Sequence, residues 1–231
     1  MPGHTDAQYI TIAPFADFQN LFSTVEVTVY GADGTQLSNF TVFASNLPSS
    51  ATNQKSILVS TAAAQNVFGI PADQTATGTL PDSGVICFHK GITFVDCVSY
   101  GAYSGPTSVG GSEAGPPAPS PPPGLALRRD FGADGVLAAI DDTDNSAADF
   151  DLAVPRSENF AGIRASDLTI TAPGGVVTLN WTGTATTATI HKTDDPTTVR
   201  TSTAVAAVAG SSYEDLFPDE FPGITYYVVK P

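Results

Sequence analysis

Apolar and polar side chains alternate in short runs along most of this chain, and turn residues separate the runs. Tyr9-Ile10-Thr11-Ile12 and Val25-Glu26-Val27-Thr28-Val29-Tyr30 show it most clearly, the second stopping at Gly31-Ala32-Asp33-Gly34. A period of two lines the apolar side chains up on one face of an extended strand, and a helix cannot use that pattern. Further runs at 39–43, 56–60, 85–88, 94–100 and 125–128 read as half-buried strands. The one helical signal is 60–68, where Thr61 is placed to cap and Gly69-Ile70-Pro71 to stop.

A second series begins near Leu168. Runs at 168–171, 176–181, 188–192, 211–216 and 224–229 follow one another at spacings typical of a sandwich, and the single tryptophan, Trp181, is placed as a core plug between sheets. Between Gly105 and Gly124 the chain is dominated by Gly, Pro and Ser, including Pro121-Pro122-Pro123. Proline forbids both helix and central strand, so 105–124 reads as an exposed, stiff connection. A length of 231 residues suits two domains, and the expected fold class is all-β: two tandem sandwiches, 1–163 and 164–231.

The charge narrows the partners. The formal net charge is −14, and it is spread along the chain, with no acidic tail. Such a field repels phosphate backbones and anionic lipid, so no nucleic acid is expected as a partner. No run approaches the roughly 18 apolar residues that span a bilayer, so no membrane insertion is expected either. A neutral glycan, a cell surface or a divalent cation stays open. The start, Met1-Pro2-Gly3-His4, carries no visible signal peptide, as a mature or shortened numbering would explain. Cys87 and Cys97 flank a turn around His89-Lys90-Gly91. If that turn centres on Ile92 they face each other and form a disulfide, as an exported protein allows; if it centres one residue earlier, they are two small thiols.

Five segments in order, Val85-Ile86-Cys87-Phe88, Val95–Gly101, Gly124–Arg129, Asp141–Phe150 and Pro155–Asn159, resemble the exported lamin-tail domain family over about residues 6–160. Trp181, the strand around Ile190, Tyr213-Glu214-Asp215 and Tyr226-Tyr227 resemble a fibronectin type III or related immunoglobulin-like module over about 166–231. The resemblance implies two immunoglobulin-like sandwiches, the second running out at Pro231 without its last strand. It implies attachment and no chemistry, since fold alone does not carry function.

The residues offer little for catalysis. His4, His89 and His191 are the only histidines, they lie far apart in sequence, and each reads as a surface side chain. Glu214 and Asp215 read as exposed turn acids. The exception is Asp141-Asp142-Thr143-Asp144-Asn145-Ser146-Ala147-Ala148-Asp149. Asp141, Asp142, Asp144 and Asp149 are hard oxygen donors of the kind calcium takes, although the EF-hand glycine and glutamate are missing. The same acids also suit turn capping and pairing with Arg128 or Arg129 beside Phe150. Calcium is therefore the only cofactor the sequence offers. The expected function is a non-catalytic, secreted or cell-surface structural and adhesive protein that self-associates. Asp6, Tyr9, Ile10 and Ile12 would form the donor strand, added beside Tyr226, Tyr227, Val228 and Val229 of another copy to build a fibre. The alternative is a monomeric attachment module binding glycan through aromatics such as Phe217, Phe221 and Tyr226.

Overall fold

The computed structural model describes residues 6–122, 125–132, 135–153, 155–163, 167–171, 177–182, 187–193, 204–209, 212–215 and 226–230. His4, Phe217 and Phe221 lie outside them. The chain forms two compact units, Met1–Asn66 with Pro71–Phe160, and Val67–Ile70 with Ala161–Pro231. Its architecture is all-β and sandwich-like.

Up to Phe160 the elements run β1 (Tyr9–Ile12), β2 (Val25–Tyr30), β3 (Gln36–Val42), β4 (Ile57–Ser60), helix α1 (Ala62–Phe68), β5 (Gln74–Thr75), β6 (Gly84–Lys90), β7 (Thr93–Tyr100), β8 (Ser108–Val109), β9 (Ser112–Glu113), β10 (Ala126–Arg129), α2 (Ser146–Asp149) and β11 (Phe150–Ala153). The helix starts where its cap predicts, with Thr61 Oγ1 accepting from the Ala64 N–H at 3.2 Å. One sheet has the order β3-β2-β6-β7 and a second the order β1-β4-β5. Phe22, Val27, Val29, Phe40, Ile57 and Val59 fill the core with Ile10 and Ile12 packed against it. Each fully buried side chain of this size contributes about 1.5–3 kcal/mol.

Two strands are more buried than their alternation suggested. All four residues of β4 are buried, as are four of the six in β2. For β2 the reason is a second cluster, Val85, Cys87, Cys97, Tyr103, Val109 and Ala114, joined by Tyr30 and Phe94. The segment after β7 thus covers the outer face of the four-stranded sheet, and both faces become core.

The second unit contains β12 (Asp167–Thr171), β13 (Val177–Thr182), β14 (Thr187–Thr193), β15 (Ala204–Ala209), β16 (Ser212–Asp215) and β17 (Tyr226–Lys230). They form two three-stranded sheets, β12-β13-β16 and β15-β14-β17, around Leu179 and Ile190. The sequence reading missed β15. Its Ala-Val-Ala-Ala-Val-Ala has no polar residue to alternate with and little strand propensity, so it shows no period.

Candidate functional site

The pairing of the cysteines is decided by a bulge. Lys90 pairs with Thr93 across the turn residues Gly91 and Ile92, and His89 pairs with Phe94. A regular ladder from that turn would set Cys87 against Asp96. Instead Phe88 opposes Asp96, so Val95 is the extra, unpaired residue, and Cys87 falls opposite Cys97. The two are disulfide-bonded, with Cα atoms 4.1 Å apart.

His89 corrects the surface reading. It is buried, with its ring stacked on Phe94 at 4.5 Å between centroids. Its Nε2 lies 2.7 Å from Thr28 Oγ1 and its Nδ1 2.9 Å from the Gly91 carbonyl. Thr28 Oγ1 donates to Asn39 Oδ1, and Asn39 Nδ2 donates to Glu26. Thr28 is only 1% exposed, so this hydroxyl is out of reach of a substrate. The network is an internal brace of the sheet. His191 is also buried, on β14.

The acidic run encloses an arginine. Arg129 Nη2 is 2.9 Å from Asp96 Oδ2, while Nη1 reaches Asp142 Oδ1 at 3.2 Å and Asp149 Oδ2 at 3.3 Å. Nη1 also donates to the Asp141 carbonyl, and the guanidinium lies over the Phe150 ring at 4.6 Å. Asp149 is further held by Thr143, whose N–H and hydroxyl both donate to it. Asp141 accepts from the Ala138 N–H, and Asp142 from the Asp144 N–H. Burial lifts the Asp96 carboxyl above the ordinary carboxylate value despite the Arg129 charge beside it. Among the described residues, no group of three or more His, Cys, Asp or Glu is placed to hold a metal ion. A guanidinium occupies the position where the sequence reading allowed calcium.

This arginine helps seal an edge. β7 is the last strand of its sheet, yet the chain covers it with its own backbone. Tyr100 bridges Ala118, the Gly101 N–H donates to the Ala118 carbonyl and the Ala118 N–H to the Ser99 carbonyl. Ser146, at the start of α2, accepts from the Ser99 N–H and donates to the Ala114 carbonyl. Segment 105–124 is therefore not simply an exposed connection, since Val109, Ala114 and Ala118 are buried. Gly115, at φ +55°, permits the approach, because a Cβ there would lie 2.5 Å from the Asp144 carbonyl oxygen.

The expected donor segment is not free. β1 pairs antiparallel with β4, from Tyr9 with Ser60 to Ile12 with Ile57. Ile10 and Ile12 pack on the core, and burial raises the Tyr9 hydroxyl to about 12. Asp6 accepts at its carbonyl from Thr61 Oγ1. A segment so tied cannot leave to complete another copy without opening its own core, although among the described residues β1 does occupy the outer position of its sheet.

In the second unit β17 also occupies an outer position. Tyr226, Tyr227, Val228 and Val229 pair with Thr193, Lys192, His191 and Ile190 of β14, and among the described residues β17 pairs with no other strand. Asp215 is buried, not an exposed turn acid, and pairs with Lys192 at 2.8 Å.

One end of the first unit presents apolar side chains to solvent. Phe18 is 79% exposed, Leu21 66% and Ile92 96%. Phe18 is held at φ +67°, a backbone region that bulky residues rarely enter, with its N–H donating to Ser50. Gln19 Oε1 accepts from the N–H groups of Phe15 and Ala16, fixing the loop. Lys90 Nζ donates to the Leu21 carbonyl, which puts this loop beside the hairpin tip.

Among the described residues, no helix is long and apolar enough to cross a membrane. No protein-family model matches the chain, and no curated protein or solved structure is significantly similar to it.

Proposed function

We propose that this is a non-catalytic extracellular structural or adhesive protein that associates by adding strands at the outer edge of β17. The observation that carries this reading is that, among the described residues, β17 pairs with β14 alone, which offers a row of backbone donors and acceptors to a partner strand. Because β1 keeps its place in its own sheet, the partner edge we propose is the outer side of β1 in a second copy. The strand stays home, and head-to-tail contacts of this kind build an open filament. The disulfide and the dispersed acidic charge support an exported setting.

We read the first unit as lamin-tail-like and the second as fibronectin-like. The second unit's strand orders correspond to the A-B-E and C′-C-F halves of an immunoglobulin-like sandwich, with β17 in the F position.

Tyr227 and Val228 provide the test. Neighbouring N–H groups on a strand point to opposite sides, so one of the two faces β14 and the other faces the partner. Proline at the first position destabilises the second unit. Proline at the other leaves the melting curve unchanged and abolishes assembly in sedimentation and electron micrographs. A wild-type chain that stays monomeric at high concentration sinks the proposal.

A second reading, an attachment module for neutral glycan, rests on the exposed Phe18, Leu21 and Ile92 held on a fixed loop. Calorimetric titration with neutral oligosaccharides separates it from strand addition, because both proline variants would still bind.

A further inference from the structure

The second unit buries a lysine and an aspartate that meet between its two sheets. Lys192 Nζ lies 2.8 Å from Asp215 Oδ2, and the two side chains are 3% and 5% exposed. They come from different sheets, Lys192 from β14 and Asp215 from β16. The core they share is built from Leu179 and Ile190, with Val177, Ala206, Val208 and Tyr213 packed around it.

A full ion pair in such surroundings loses much of its solvation, and its Coulomb attraction repays that loss only in part. The contact holds the Lys192 nitrogen against the Asp215 carboxyl group, within reach and largely shielded from water.

We infer that Lys192 and Asp215 condense into an intramolecular amide bond tying the two sheets together. The Lys192 nitrogen attacks Asp215 Cγ, the new C–N bond forms, and one Cγ–O bond breaks. That oxygen leaves as water with two of the three ammonium protons, and the third stays on the amide nitrogen. No oxidant, metal or cofactor enters the balance. Expulsion of water from this buried contact favours the product, and the cross-link stands whether or not β17 accepts a strand.

The test is the intact mass of the full chain after disulfide reduction and denaturation. The expected mass is one water below that of the reduced sequence, and the full sequence mass overturns the inference. The Asp33-Gly34 step can also lose water by forming a cyclic imide, so Lys192→Arg is measured alongside. Return of the full mass in that variant supports the cross-link, and a persisting deficit overturns it. Tryptic mapping of the wild type decides the matter even if the variant does not fold. A peptide uncut after Lys192 and joined to the one containing Asp215 is expected, and separate peptides refute the bond.

Discussion

The strands β7 and β17 stand in the same situation, each outermost in its sheet, and the chain treats them in opposite ways. β7 is covered by a backbone bridge at Ala118, by Ser146 of α2 and by Arg129 with its ring of carboxylates. β17 is paired with β14 alone among the described residues. Covering an edge consumes chain, here the segments that carry Gly101, Ala118, Arg129 and Ser146, and turns the outer face of the sheet into a second core. An edge left without such a cover is an aggregation risk unless association is its use. On the proposed function, that contrast assigns adhesion to the second unit and stability to the first.

Two substitutions probe how firmly the first edge is sealed, and the larger effect belongs to Arg129→Met. Among the described residues it removes the only cation within salt-bridge distance of Asp149, whose side chain is 4% exposed, and of Asp96. A loss of about 3 kcal/mol is expected in urea denaturation, because a buried charge is left uncompensated. Light scattering should rise as β7 is uncovered. Unchanged stability together with unchanged solution size would dissolve the contrast between the two edges.

Gly115→Ala comes next, at about 2 kcal/mol. The new Cβ meets the Asp144 carbonyl, and the backbone stays in a region that alanine disfavours. Thermal melting checks it, and a wild-type transition would mean that 105–124 lies more loosely on β7 than its hydrogen bonds indicate.

The smallest effect is expected at Asp73, away from the edge. Its Oδ2 accepts from the N–H groups of Leu58 and Phe160, yet burial outweighs them and raises its carboxyl above the ordinary value. The folded state therefore binds this proton better than the unfolded state. That contribution favours folding below the ordinary carboxylate value and is lost as pH rises through the folded value. An asparagine there keeps an acceptor and does not titrate. At neutral pH Asp73→Asn should match the wild type or exceed it by a few tenths of a kcal/mol, since the site is half solvated. The difference should close near about pH 3. A large loss at pH 7 would show that the carboxylate charge itself holds Leu58 and Phe160 in place.

Much of the fold was legible from local pattern. β1 and β2 begin and end where their alternation does, and α1 follows its cap, because period and capping act between near neighbours. β15 escaped because alanine carries no period. His89 and Asp215 were misread as exposed because isolated polar residues look solvated until their partners, Thr28 and Lys192, are brought from distant strands. The acidic run admitted a bound cation or an arginine, and the choice depended on where β10 would place Arg129.

The sequence by itself determined that this chain builds strands, roughly where they lie, and that its surface charge is negative, since these follow from side-chain type and spacing. Only the tertiary structure decided which cysteine faces which, which acids meet a cation and which strands take the outer positions of their sheets. Each of those depends on register and on contacts between residues far apart in the chain, and a shift of one residue in pairing reverses them.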